Sequence, residues 1–323
     1  MRQEQPVFSI VVPTYEQPRR LAACLQALAR LDYPRDHFEV IVVDDGSTMP
    51  PNDAVASFRD RLQVTLLVQL HSGPATARNT GAMQAKGQYL AFTDDDCMPA
   101  PEWLQSLTVR FAKTPDHMIG GRTINALPDN LYSTACQVLV DYLYTYYNAD
   151  LNHGRFFTSN NLALPADRFR LIGGFDTTFP LAGGEDLELC HRWLHRGYQL
   201  TYAPEILIYH AHALTFRTFW RQQFCYGRGA FRFHRARVAR SQESIRLEPL
   251  SFYQNLLRHP FSQVRGGRAL SLAALMVVSQ IANASGFFRE KLRQSNWLPT
   301  RRTNNVESGR LNGYDAGVKK NHH

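Results

Sequence analysis

Residues 89–99, "YLAFTDDDCMP", set three carboxylates, Asp94, Asp95 and Asp96, directly behind an apolar run. Like charges in succession repel, and they cannot be buried without partners. The run before them reads as the end of a buried strand. The stretches upstream repeat the pattern. "FSIVVPTY" (8–15), "FEVIVVDDGS" (38–47) and "VTLLVQL" (64–70) are apolar, β-branched runs closed by proline, acidic or turn-forming residues. Between them, "RRLAACLQALARL" (19–31) has apolar residues at helical spacing, and "PATARNTGAMQAK" (74–86) starts on a proline and is alanine-rich. Strands apolar throughout and separated by helices predict an α/β fold, with a parallel sheet covered on both faces.

In such sheets ligands bind at the carboxyl ends of the strands. Here those ends read "PTYE", "DDGS" and "TDDD". The carboxylates therefore stand where a site is expected. A dinucleotide fold is excluded, because "VVPTYEQPRR" replaces the glycine-rich turn after the first strand. The "GRG" at 227–229 follows an aromatic, arginine-rich stretch rather than a strand, so it is no such fingerprint.

The chain has 323 residues, 44% hydrophobic and 20% charged, an ordinary globular composition without a repeat. Its five cysteines are scattered and never in C-x-x-C spacing, which argues against a zinc site or a disulfide framework and for a reducing cytosol. The N-terminus shows no signal peptide pattern. The net charge is +8, and residues 217–246 concentrate eight arginines against Glu243 as the only acid. Such a patch attracts phosphate of lipid, nucleotide or nucleic acid, although each single arginine also suits a solvated helix face.

Farther along, "NLYSTACQVLVDYLYTYY" (130–147) predicts a long aromatic helix and "RFFTSNNLALP" (155–165) another strand. A glycine-rich loop precedes the helix "EDLELCHRWLHRGY" (185–198), and 198–214 reads as extended. The division expected is a catalytic domain over 1–214, a basic helical extension over 215–298 and a disordered polar tail over 299–323. Residues 269–288 are uncharged and long enough to span a bilayer, but Ser271, Ser279, Gln280, Asn283 and Ser285 make a poor span. Two placements stay open: a helix in the membrane interface, or one packed on the catalytic domain.

On an extended strand, residues two apart point the same way, so Asp94 and Asp96 are expected to share a side with Asp95 opposite. Two such carboxylates can hold a hard divalent cation, Mg²⁺ or Mn²⁺, which also binds substrate phosphates. An acidic turn capping the next helix, near Pro101, would account for the same residues.

Seven segments in order, "SIVVPTYEQPRRL", "VIVVDDGST", "GPATARNTGA", "AFTDDDCMP", "SNNLALP", "GGFD" and "GGEDLEL", resemble the family 2 glycosyltransferases of the GT-A fold over roughly residues 8–229. The resemblance implies a Rossmann-like, mostly parallel sheet flanked by helices. It also implies an inverting, metal-dependent transfer of a sugar from a nucleotide-diphosphate sugar, UDP-sugar favoured, to an acceptor hydroxyl. Cell-surface glycan or glycolipid synthesis is the expected setting. The acceptor is left open among glycan, lipid-linked and small-molecule classes.

Carried over by position, Thr14 and Glu16 line the nucleotide pocket, and Asp45 accepts a hydrogen bond from the base with Asp44 beside it. Arg78 lies near base and diphosphate. Asp94, with Asp95 next to it, stands on the ribose and metal side, and Asp96 is the direct metal ligand. In the pair Glu185–Asp186, Asp186 is the expected base, although acids also favour a helix N-terminus. His210 matches a returning metal ligand better than His212. "FWRQQFCYGRG" (219–229) departs from the Q-x-x-R-W pattern of processive synthases, so transfer of one or a few sugars is expected. The enzyme is expected in the cytoplasm, peripheral to the inner face of an anionic membrane. Nucleic acid is not an expected partner, since no recognised binding module is present. The competing readings are a nucleotidyltransferase, which lacks its glycine- and lysine-containing loop here, and a non-catalytic nucleotide-sugar-binding protein.

Overall fold

Alternation along each strand sorts the core into two layers. In the first strand, β1 (Phe8–Thr14), Ile10 and Val12 face one side and Val11 the other. The second, β2 (Phe38–Asp44), repeats this with Val40 and Val42 against Ile41 and Val43. Strands buried on both faces need helices on both. The structure, a computed structural model, describes residues 7–179, 182–241 and 248–295. The expected tail over 299–323 lies outside the described residues.

In chain order, β1 leads to α1 (Pro18–Leu28), whose Leu21, Cys24, Leu25 and Leu28 form one buried stripe. After β2 come α2 (Asn52–Ala56), β3 (Val64–Val68), α3 (Pro74–Gln84) and β4 (Tyr89–Phe92). Next are β5 (Cys97–Pro99), α4 (Trp103–Lys113), β6 (Met118–Asn125), α5 (Leu131–Tyr147), β7 (Leu162–Pro165) and α6 (Ala166–Ile172). The chain continues through α7 (Glu185–His195), β8 (Leu200–His210), α8 (Phe216–Ser241), α9 (Leu250–Gln263) and α10 (Gly267–Ser295).

The sheet has eight strands in the order β3-β2-β1-β4-β7-β6-β8-β5. The pairs β1–β2, β2–β3 and β1–β4 are parallel. The second half is mixed: β7 runs antiparallel to β4 and β6, β6 and β8 are parallel, and β5 is antiparallel to β8. The chain leaves β1 toward β2 and β3, then returns to its other side as β4. That reversal opens a crevice at the carboxyl ends, beside Thr14, Asp44 and Asp94.

A third apolar cluster joins α5, α8, α9 and α10, through Val138, Phe219, Leu256 and Met276 among others. Helix α8 is pressed between the loop ahead of α7 and α10. A Cβ on Gly227 would lie 1.8 Å from the carbonyl oxygen of Asn283, and one on Gly229 would lie 1.8 Å from that of Gly183. The expected strand over 155–165 is shorter than its sequence suggests. Only Leu162–Pro165 is β, because Asn161 spends its amide on the backbone carbonyls of Arg122 and Ile206 and holds the approach as a turn. All five cysteines are free.

Candidate active site

β4 ends at Phe92, so residues 93–96 form a turn and the two-residue alternation expected for the aspartates does not hold. Asp94 and Asp96 bond to different partners. Each of the three carboxylates finds its own partner, which is how the repulsion is relieved.

Asp94 accepts a 2.7 Å hydrogen bond from Nη2 of Arg78. Asp95 accepts a 2.6 Å hydrogen bond from Oγ1 of Thr14, the last residue of β1. Burial, together with the charges of Asp96 and Asp94, pushes the Asp95 carboxyl up to about 7 against the opposing pull of Thr14. Asp96 is buried and lies 3.1 Å from Nε2 of His210, 3.1 Å from Nδ1 of His212 and 3.4 Å from Nη1 of Arg20. Burial alone would raise its carboxyl, but the two histidine contacts outweigh that and hold it far below the usual range.

Sheet register brings the histidines there. Cys97 in β5 pairs with His210 in β8, and the N–H of Ala211 donates to the carbonyl of Asp96 at 2.8 Å. The ligating atoms of Asp96, His210 and His212 lie within 4.8 Å of one another. One carboxylate and two imidazoles form a donor set that fits a divalent transition ion such as Mn²⁺. Asp94, expected as a second ligand, is not part of this cluster and pairs with Arg78. His212, ranked below His210 from sequence, stands at an equal distance from Asp96.

Arg78 is buried in α3. Its guanidinium bridges Asp94 and Glu185, with Nη1 at 3.3 Å from Glu185, and packs 5.5 Å from the Phe175 ring centroid. Its Nε is buried without a hydrogen-bond partner. Glu185 also accepts from the N–H of Gly183 at 2.7 Å, so it fastens the loop rather than facing open space. Asp186, next in α7, is half-buried and keeps a carboxylate turned to the cavity. Burial first, then the neighbouring Glu185 charge, raise its carboxyl above the ordinary range. Gly183 and Gly184 have φ of 130° and 94°, and a Cβ on Gly184 would meet the backbone of Gly229 at 2.9 Å. Only glycine meets both demands, which explains the bend that presents Asp186 to the cavity.

The remaining expected residues shape the loops. Asp45 accepts from Gln69 Nε2 at 2.6 Å and from the N–H groups of Ser72 and Gly73 at 2.9 and 2.8 Å, which anchors the turn opening α3. Asp44 caps its own turn by accepting from Ser47. Glu16 accepts from the N–H and hydroxyl of Thr48, each at 2.7 Å, pinning the two loops together.

One cavity of about 760 Å³ joins these groups. Thr14, Asp45, Arg78, the three aspartates, Glu185, Asp186, His210 and His212 all line it. Asp44 and Glu16 do not. Tyr15, which the sequence did not single out, lines the cavity and stacks on His71 with ring centroids 4.3 Å apart. It also missed Gln222, Gln223 and Tyr226, although the segment "FWRQQFCYGRG" pointed to the region. Three arginines of that patch are held by acids: Arg228 and Arg232 by Glu290, and Arg240 by Glu188.

The model for glycosyl transferase family 2 matches residues 9–166, and that for glycosyl transferase family group 2 matches residues 89–288. The chain belongs to glycosyl transferase family 2. It is 31% identical over 228 residues to validoxylamine A glucosyltransferase of Streptomyces hygroscopicus subsp. jinggangensis, covering 62% of this chain and 54% of that one. It is 28% identical over 227 residues to glycosyltransferase AglE of Haloferax volcanii, covering 69% and 73%. The chain spans about half the length of the validoxylamine A glucosyltransferases it matches. Among solved structures, the mannosyltransferase PcManGT of Pyrobaculum calidifontis, in complex with GDP-Man and Mn²⁺, superposes with a TM-score of 0.59 at 21% identity, over 92% of this chain and 81% of that one. Staphylococcus aureus TarS superposes with a TM-score of 0.52 at 16% identity, over 87% and 54%. These neighbours establish the GT-A fold for this family 2 glycosyltransferase.

Proposed function

We propose that this family 2 glycosyltransferase moves one sugar from a nucleoside-diphosphate sugar to an acceptor hydroxyl with inversion, using Asp186 as base and a divalent cation held at Asp96, His210 and His212. The observation that carries this reading is that Asp186, the Arg78–Asp94 pair and the carboxylate–imidazole cluster all open into one cavity. The PcManGT complex with a nucleotide sugar and Mn²⁺ supports it by likeness of fold.

The donor belongs against Thr14, Asp45 and Arg78, with the free Nε of Arg78 offering a buried N–H to an oxygen or nitrogen of the nucleotide. UDP-sugar is the favoured donor. A bound divalent ion would supply Lewis acidity for charge developing on the diphosphate. Asp186 takes the proton of the acceptor hydroxyl as the new C–O bond forms and the bond from the sugar to the diphosphate breaks. The raised affinity of Asp186 for protons makes it a stronger base than an exposed aspartate. Glu185 keeps Asp186 in place through Arg78 and Gly183. The acceptor is a glycan, lipid-linked or small-molecule hydroxyl in cell-surface glycan or glycolipid synthesis, and the site of action is cytoplasmic.

Hydrolysis and transfer from a panel of nucleotide sugars, measured with Mn²⁺ and again with chelator, test the reading. Metal-dependent release of nucleoside diphosphate is expected. Release of pyrophosphate would instead mark a nucleotidyltransferase, and equal rates with chelator would remove the metal.

A further inference from the structure

Helix α10 leaves one full face uncovered. Leu270, Ala274, Val277, Ile281, Ala284 and Phe288 follow one another at spacings of three and four, and all six are exposed. At 1.5 Å per residue this stripe is roughly 27 Å long. Its neighbour α9 leaves Leu250, Leu257 and Phe261 exposed as well. Single apolar side chains at a surface mean little, but a continuous stripe marks a binding face.

The exposed charges on these two helices and the turn between them are of one sign. Between residues 249 and 295 the only acid is Glu290, and it is buried between Arg228 and Arg232. Arg258, Arg289 and Lys291 are exposed on the same two helices, and Arg265 on the turn between them. An apolar stripe on helices whose exposed charges are all cationic matches an anionic bilayer surface. We infer that the α9–α10 face docks the protein on an anionic lipid bilayer, with α10 lying along the surface. The inference stands on this face alone and does not depend on the catalytic reading.

Other occupants fit less well. The 28 residues after 295 carry five arginines and lysines against two acids, so they share the sign of the face. A second copy would stack one basic face on another. Nucleic acid would meet a face that is mostly aliphatic, with only Phe261 and Phe288 to stack on. Crossing the bilayer is disfavoured by the opposite side of α10, where Gly286 touches the Phe224 carbonyl region and Glu290 is ion-paired, contacts that a span would break.

The test is sedimentation of the full chain with vesicles of equimolar phosphatidylcholine and phosphatidylglycerol, and with phosphatidylcholine alone. Binding to the mixed vesicles, weakened by salt and by omission of phosphatidylglycerol, is expected. The double variant Ile281→Glu, Phe288→Glu should bind at least about tenfold more weakly, the minimum for losing two buried apolar side chains. A second variant, Arg289→Gln with Lys291→Gln, should lose mainly the dependence on phosphatidylglycerol. Both change exposed positions, and thermal unfolding checks that they fold. Wild-type failure to bind mixed vesicles, unchanged binding by the double variant, or a dimer that the double variant dissolves would each overturn the inference.

Discussion

Nδ1 of His212 lies 3.1 Å from Oδ2 of Asp96, across 116 positions of sequence. Strand pairing between β5 and β8 makes this contact, with His210 on the other carboxylate oxygen. The three side chains are the best-defined candidate cation site among the described residues. His212→Ala should weaken Mn²⁺ binding by more than the about 10–100-fold typical of removing a supporting group. Calorimetric Mn²⁺ titration reads this directly, and unchanged affinity would remove His212 from the site.

Asp186 is the second test. Asp186→Asn should lower transfer by about 10²–10⁴-fold, the usual contribution of a general base, with nucleotide affinity close to wild type. Since burial and Glu185 raise the carboxyl, wild-type turnover should climb with pH through a limb above the ordinary aspartate range, as the carboxylate form accumulates. A pH profile flat across that limb would point to another base.

Gly229 concerns the catalytic loop without touching substrate. Its Cα faces Gly183, and a methyl there would lie 1.8 Å from that carbonyl oxygen. Gly229→Ala should cost about 1–3 kcal/mol by overpacking and reduce kcat more than donor affinity, since the loop bearing Asp186 must shift. Thermal unfolding and steady-state kinetics separate the two effects.

Glu290 predicts how the helical layer responds to acid. Although burial opposes ionisation, hydrogen bonds from Gln294, Arg228 and Arg232 bring its carboxyl from 4.5 to about 2. The lowered value means stability is fully present above pH 4.5 and is lost as pH falls toward 2. The shift corresponds to on the order of 3 kcal/mol. Glu290→Gln should lose that increment at neutral pH and flatten the acid limb of an unfolding curve.

The core and the address of the site were legible in the chain because both are local. Strands buried on two faces must be apolar throughout, and the carboxylates after "SIVVPT", "VIVV" and "YLAF" mark their ends without reference to any partner. The bend before Asp186 was legible too, since "GGED" writes it in glycine. What each aspartate does was decided by groups distant in sequence. Thr14 turns Asp95 inward, Arg78 takes Asp94, and β8 carries two histidines to Asp96. The arginine-rich segment read as a phosphate-seeking patch, yet Glu188 and Glu290 hold Arg240, Arg228 and Arg232. Apolar periodicity depends on neighbours along one element, so sequence alone determines it. The partner of a charge depends on which elements pack together, because ion pairs form over a few ångströms of space whatever their separation along the chain, and only the tertiary structure decides that.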